Sequence, residues 1–277
     1  MIESDLLILG AGGKTGSRLA ALFKTGDQAV WRASRKPKAA DERAFDWAKP
    51  DEAIMAFKGV KRAYIVAPTD RSDHAAVMLP VLRAALDQGV ERMVLLSSSS
   101  LQRGGPMMGQ IHDWMAETVP EWVVLRPSWF MQNFAEGRHF SSLQQDGRIY
   151  SATGEARLGF IDALDIARVA HSALTGERAW NTDVVLTGPQ LLSYNDIAAI
   201  MSETLGRSVA HIGLSSEALA GRLMQAGLGA DYARTLAEMD VALSTSSEEL
   251  TDEVFRRTGW QPRTFADFLT SDPVFCA

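Results

Sequence analysis

Short, wholly apolar runs alternate along the first half of the chain with stretches whose apolar positions recur every three or four residues. Leu6-Leu7-Ile8-Leu9 predicts a strand, and Lys14 to Phe23 then sets Leu19, Leu22 and Phe23 at helical spacing. Ala29 to Ala33 predicts a second strand, residues 51–57 a short helix, and Ala63 to Val66 a third strand. His74 to Leu86 has Val77, Leu82 and Leu86 among its apolar positions, and Gly89 is placed to stop that helix. Met93 to Leu96 and Trp122 to Leu125 predict the fourth and fifth strands, with a helix over 107–117 between them. Strands that are apolar throughout are buried on both faces, which is the mark of a parallel sheet covered by helices. Right-handed crossovers are expected to join them.

Past residue 130 the rhythm changes. The pattern predicts a helix over 131–144, then a segment with Gly147, Gly154 and Gly159, a helix over 165–174 and a strand over 182–186. Helices are expected over 194–205, twice within 215–245, and over 248–257. No linker or internal repeat interrupts the chain. The expected organisation is a doubly wound α/β core over 1–130, with a small, mostly helical substrate-binding part over 131–277 built onto it.

Composition narrows the function. The 277 residues carry 28 basic and 34 acidic side chains, a net charge of −6. That balance gives no footprint for nucleic acid or an anionic membrane. Cys276 is the single cysteine, so no disulfide forms within the chain and no cysteine-based metal site is expected. The five histidines, His74, His112, His139, His171 and His211, show no metal-ligand spacing, and no Gly-x-Ser-x-Gly elbow is present. No apolar stretch approaches the roughly 18 residues that span a bilayer. No basic leader precedes Leu6, so a cytoplasmic protein is expected. The expected partners are a small-molecule substrate and, at most, a second copy in a homodimer.

The first strand runs directly into Gly10-Ala11-Gly12-Gly13-Lys14-Thr15-Gly16. A glycine turn between a first strand and its helix is where a dinucleotide pyrophosphate sits, against the helix N-terminus. Gly13-Lys14-Thr15 also mimics the end of an NTPase phosphate loop. That loop needs a glycine where Ile8 stands, inside the strand. A plain tight corner is the remaining alternative. The second strand ends in Arg32-Ala33-Ser34-Arg35-Lys36-Pro37-Lys38, with no acid before Asp41. An NAD site places an acid there for the ribose hydroxyls, whereas a 2′-phosphate needs cations and hydroxyl donors. NADP(H) is therefore expected, with Arg35 and Ser34 as leading phosphate contacts and Arg32 next. The alternative is a solvated basic turn.

Together with Phe45-Asp46-Trp47, Val66-Ala67-Pro68, Leu95-Leu96-Ser97-Ser98 and Leu125-Arg126-Pro127-Ser128-Trp129-Phe130-Met131-Gln132-Asn133-Phe134, these motifs resemble the NmrA-like, atypical branch of the short-chain dehydrogenase/reductases. Tyr150-Ser151-Ala152, Phe160 to Ala167 and Leu186 to Pro189 fit the same branch, so the resemblance covers nearly the whole chain. Within the branch it is most similar to the festuclavine/agroclavine dehydrogenase subgroup. The resemblance implies a Rossmann-type sheet, with NADP(H) held at Gly10, Gly13, Lys14, Thr15 and Gly16. It implies Asp46 and Trp47 near the adenine, Ala67 and Pro68 under the adenosine half, and Ser97 and Pro127 toward the nicotinamide. Trp47 can equally be a packing residue. Trp129, Phe130, Asn133 and Phe134 resemble the edge of the family's substrate pocket, and core packing is their other reading.

The Tyr-x-x-x-Lys pair of the wider superfamily is missing. Four residues after Tyr64, Tyr150, Tyr194 and Tyr232 stand Pro68, Gly154, Ala198 and Leu236, and no lysine follows Lys61. His112 is the side chain in the corresponding segment that titrates near neutrality, so it is the candidate proton donor or ribose contact. A structural helix histidine is the alternative. Without a strong acid, an already activated acceptor is favoured: an iminium, enone or quinone-like carbon. The two functional expectations are an NADPH-dependent reductase of a flat organic substrate and a non-catalytic NADP(H)-binding redox sensor.

Overall fold

The computed structural model describes residues 4–137, 139–244 and 248–276. In chain order the first half builds β1 (Leu6–Ile8), α1 (Lys14–Thr25), β2 (Trp31–Ser34), β3 (Glu42–Ala44), α2 (Pro50–Met55), β4 (Arg62–Val66), α3 (His74–Asp87), β5 (Arg92–Leu96), α4 (Met108–Thr118) and β6 (Glu121–Pro127). A short 3-10 helix (Met131–Phe134) follows, then α5 (Phe140–Gln145), β7 (Arg148–Ser151), α6 (Ala163–Thr175), β8 (Thr182–Leu186) and α7 (Tyr194–Leu205). The chain ends with β9 (Ala210–Gly213), α8 (Ser216–Gln225), α9 (Ala230–Ser244), α10 (Glu253–Thr258) and α11 (Phe265–Ser271). Among the described residues no helix is long and apolar enough to cross a membrane.

Seven strands form one parallel sheet in the order β3-β2-β1-β4-β5-β6-β8. The direction of winding reverses between β1 and β4. In open α/β sheets that switch point opens a crevice at the carboxyl ends of the strands. The central strands are apolar because both faces are covered. Leu7, Ile65, Leu95 and Val124 are fully or almost fully buried, and Phe57, Val81, Ile111 and Met115 pack in the same core. This is the Rossmann-type, doubly wound architecture expected from the alternating pattern.

The chain divides into two compact units, and the division is not one cut after residue 130. The first unit takes Met1–Pro127, Ala163–Leu186 and Glu253–Trp260, and the second takes Ser128–Asp162, Thr187–Asp252 and Gln261–Ala277. Residues 163–186 return to the first unit because β8 pairs with β6 from Val123↔Thr182 through Pro127↔Leu186. The second unit has its own core, built from Met131, Phe134, Phe160, Tyr194, Phe265 and Phe268. It also carries a two-stranded parallel sheet of β7 and β9. The single helix expected over 131–144 is two pieces. The peptide N–H of His139 donates to the carbonyl of Asn133, which closes the 3-10 helix before α5 begins.

Arg92, buried at the start of β5, fastens the returning segment. Its Nε donates to Glu121 at 2.6 Å, and its Nη1 to the carbonyls of Ala173, Leu174 and Gly176 at 3.2, 3.3 and 2.6 Å. Those carbonyls close α6, where intrahelical partners run out and the dipole is negative. Arg62 adds a bond from Nη1 to Leu174 at 3.1 Å. Arg92→Ala is expected to cost about 2–4 kcal/mol, because it strands a buried set of acceptors. A urea midpoint unchanged from the parent protein would show that the docking of α6 does not depend on it.

Candidate functional site

The glycine turn sits at the carboxyl end of β1, at the switch point. Gly10 has φ +63°, a conformation that side chains resist, and the N–H of Gly13 donates to its carbonyl at 2.8 Å. A Cβ at Gly16 would overlap that same carbonyl oxygen, so the first turn of α1 rests on the corner backbone. No side chain caps the N-terminus of α1. Its leading N–H groups and the positive end of its dipole are therefore suited to an anion. Thr15 is buried, and its Oγ1 accepts from the phenol of Tyr64 at 2.9 Å. That hydroxyl is turned toward β4, so Thr15 has only its backbone to offer at the turn. Tyr64 is a residue the pattern of motifs did not single out. Burial pushes its phenol well above the usual range, which keeps it a neutral donor.

At the end of β2 the cations separate into two kinds. Arg32 is bidentate to Asp41, at 2.6 and 2.8 Å, and lies 3.3 Å from Glu42. Its hydrogen bond to Asp41 raises the Arg32 pKa and lowers that of Asp41, so the charge is matched inside the protein. That pair gives Arg32 a counter-ion within the protein, which sets it apart from Arg35. Arg35 is exposed and makes no hydrogen bond or ion pair with the described residues. The Oγ of Ser34 accepts from the N–H of Lys36 at 3.2 Å.

The other expected cofactor residues also gather at the carboxyl edge of the sheet. Asp46 accepts from the N–H of Ala48 at 3.0 Å, which shapes its turn. Trp47 donates from Nε1 to the carbonyl of Val66 at 3.1 Å and meets Phe45 edge-on at 4.8 Å. It thereby ties the loop after β3 to the end of β4, beside the half-buried Ala67 and Pro68. Ser97 ends β5. It is buried, its N–H donates to Leu125, and its Oγ has no hydrogen-bond partner among the described residues. A buried hydroxyl left unpaired costs about 1–3 kcal/mol, so this one is an available donor or acceptor for a ligand. Pro127 is buried at the end of β6, and its carbonyl accepts from the N–H of Ser99 at 2.9 Å. Among the described residues no cluster of side chains could hold a metal ion.

His112 lies elsewhere. Its ring is buried in the first unit 5.7 Å from Trp122, with Nε2 3.9 Å from Asp183 and no hydrogen bond from either ring nitrogen among the described residues. Asp183 is itself held by Arg126 at 2.7 Å. In the sheet register Asp183 stands opposite Val124, three residues before Pro127, or about 10 Å back from the strand end. Burial pushes the His112 pKa below its ordinary value, with Asp183 opposing in part. The imidazole is therefore neutral at pH 7 and set behind the edge that carries Ser97 and Pro127. This matches the structural role the sequence left open and is poor placement for a proton donor.

The aromatic run after β6 also divides. Phe134 is fully buried, with ring centroids 5.1 Å from His139, 5.7 Å from Phe160, 5.3 Å from Phe265 and 6.1 Å from Tyr194. It builds the core of the second unit, which corrects its expected place on a pocket wall. Trp129, Phe130 and Asn133 stay half-buried, and the Nε1 of Trp129 has no hydrogen-bond partner among the described residues. Glu248 was not foreseen. One of its oxygens accepts from Ser128 Oγ and from the N–H of Gly159, both at 2.6 Å. No local pattern links positions so far apart.

Burial also depresses the pKa of His74, His171 and His211. For a histidine, a folded pKa below the unfolded one means that the unfolded chain binds protons first. Stability is then level above about pH 7 and falls as pH drops below about 6.5. Urea midpoints measured from pH 8 to pH 5 are expected to show that fall, and His112→Leu to flatten it. A profile identical to that of the parent protein would mean that His112 titrates alike in both states.

Comparison with known proteins identifies the family and the fold. The model of the NmrA-like family matches residues 121–268. The uncharacterized oxidoreductase YesF of Bacillus subtilis (strain 168) is 41% identical over 280 residues, covering 99% of this chain and 97% of the relative. Agroclavine dehydrogenase of Claviceps fusiformis is 37% identical over 283 residues, covering 96% of each. The Citrobacter sp. triphenylmethane reductase complexed with NADP(H) shares the fold, with a TM-score of 0.76 at 19% identity over 95% of this chain and 98% of that one. The chain belongs to the NmrA-like family and is an oxidoreductase of that family.

Proposed function

We propose that the protein is an NADPH-dependent reductase of a flat, electron-poor organic acceptor, with cationic iminium carbons preferred over enones and quinones. The observation that carries the cofactor half is the carboxyl edge of the sheet. There the glycine turn, the uncapped N-terminus of α1 and the unpaired hydroxyl of Ser97 stand on strands of one sheet. Arg35, Lys36 and Lys38 surround the end of β2, and the nearest acid, Asp41, is occupied by Arg32. An NAD site would need a free carboxylate for the ribose hydroxyls at this place. In this reading Gly10, Gly13 and Gly16 admit the pyrophosphate, and Ser34 and Arg35 hold the 2′-phosphate. Trp47, Ala67 and Pro68 flank the adenosine half, and Ser97 and Pro127 take the nicotinamide end; on the second unit, Trp129, Phe130 and Asn133 are the acceptor contacts that the family resemblance implies. When bound, the reduced nicotinamide supplies two electrons as hydride.

Two observations support a cationic acceptor. The second unit has 15 acidic and 7 basic side chains, against 19 and 21 in the first. A surface of net negative charge concentrates cations and repels anions. Among the described residues the carboxyl edge also carries no tyrosine–lysine acid pair. An iminium needs none, since hydride addition gives a neutral amine, whereas a ketone would need a proton for its alkoxide. A triphenylmethane reductase among the structural neighbours is in keeping with a flat, electron-poor acceptor.

Fluorescence titration with NADPH and NADH is the first test. Arg35→Ala is expected to weaken NADPH about tenfold or more and NADH little, as loss of a charge-assisted phosphate contact requires. Equal losses for both cofactors would remove the 2′-phosphate role. NADPH oxidation with a cationic iminium is expected to exceed that with a neutral quinone, and to fall as salt screens the acidic unit. Tight NADPH binding without turnover on any acceptor would favour the redox-sensor reading instead.

A further inference from the structure

The first unit contains a second cavity, at the opposite end of the strands from the glycine turn. It measures about 640 Å³, and Trp31, Arg43, Lys58, Arg62, Asp5 and Gln28 are among its lining residues. Three of these are cations, and among the described residues Asp5 is the single carboxylate lining it. Asp5 is taken by Arg62, whose Nη2 donates to it at 2.7 Å. Arg43 is half-buried on β3 with its guanidinium 4.0 Å from the centre of the Trp31 ring. It gives Nη1 to the carbonyls of Ala56 and Lys58, at 2.7 and 2.8 Å, and has no carboxylate partner among the described residues. Its Nε and Nη2 donate to no described residue, and the ammonium of Lys58 likewise has no partner among them.

We propose that this cavity is a binding site for a small doubly charged oxyanion of the phosphate-monoester class. The physical reason is the unmatched charge. Two cations face one cavity whose only acid among the described residues is already paired, and one of them is a guanidinium drawn partly out of water. A guanidinium so placed presents two parallel N–H groups that match two oxygens of a phosphate, while Lys58 supplies a second, mobile charge. Trp31 fixes the plane of Arg43 from one side, and the two carbonyl bonds fix its rotation. The fork is thus preorganised, so little ordering remains to be done on binding. The site is independent of the cofactor reading, since β1 separates it from the turn at Gly10.

Isothermal titration of the full-length protein with inorganic phosphate, at fixed ionic strength set with potassium chloride, tests the proposal. Saturable binding with one ion per chain and a Kd on the order of 1 mM or tighter is expected. Arg43→Gln is expected to weaken it about tenfold or more, as loss of a charge-assisted pair of hydrogen bonds requires. Lys58→Gln changes an exposed side chain without contacts, so it keeps the fold and is expected to weaken binding severalfold. Absence of saturable binding in the parent protein would overturn the proposal. So would binding unchanged in both variants, which would place the ion elsewhere, at the glycine turn for example.

Discussion

The site depends on one contact, the first turn of α1 resting on the carbonyl of Gly10. It holds only because residue 16 has no side chain. Any Cβ there would lift α1 off the end of β1 and turn its N-terminal N–H groups away from the crevice. The contact is reinforced from the next strand, where Tyr64 donates to Thr15 and so locks the same turn of α1 against β4. Switch point, helix dipole and glycine turn are therefore one mechanical unit. The anion-binding capacity of the corner is a property of backbone placement more than of any side chain.

The two units differ in charge. The first unit is close to neutral and contains every lysine, while the second is strongly acidic. Much of the first unit's arginine is spent on structure. Arg92 and Arg62 hold the end of α6, Arg126 holds Asp183, and Arg32 holds Asp41. The pairing of Arg32 matters chemically as well. It removes the acid that would otherwise stand near the end of β2, and it leaves Arg35, three residues on, facing solvent. The carboxyl edge thus carries Arg35, Lys36 and Lys38 and the hydroxyls of Ser34 and Ser97, while His112 lies set back from it.

The central sheet was legible because β1, β4, β5 and β6 are apolar on both faces, and the glycine turn because only glycine fits where backbone meets backbone. The edge strand β3 was not legible. Glu42-Arg43-Ala44 has no apolar run, and its position follows from pairing with β2. The return of α6 and β8 to the first unit was equally hidden, since its cause is pairing with a strand some sixty residues earlier. The same limit applies to single residues. Arg32 and Arg35 look interchangeable in a basic turn until Asp41 closes on one of them. Phe130 and Phe134 look alike until one is enclosed by four rings. His112 has the right residue type for acid catalysis, and only the sheet register shows how far back it lies.

That difference in surroundings also separates the cations that carry meaning from those that do not. An exposed arginine without a partner is solvated by water and needs no explanation, so Arg35 draws its significance from its place at the end of β2 and not from being unpaired. Arg43 is different. It is half-buried, burial pushes its pKa down, and its partners are carbonyls and an indole ring, none of which carries a full negative charge. A charge withdrawn from water without a counter-ion is costly unless something else supplies the missing negative charge. A methionine there would keep the contact with Trp31 and lose the two carbonyl bonds, with no charge to bury. The guanidinium, opening onto a cavity with a second cation that has no partner among the described residues, is what a site for an anion requires.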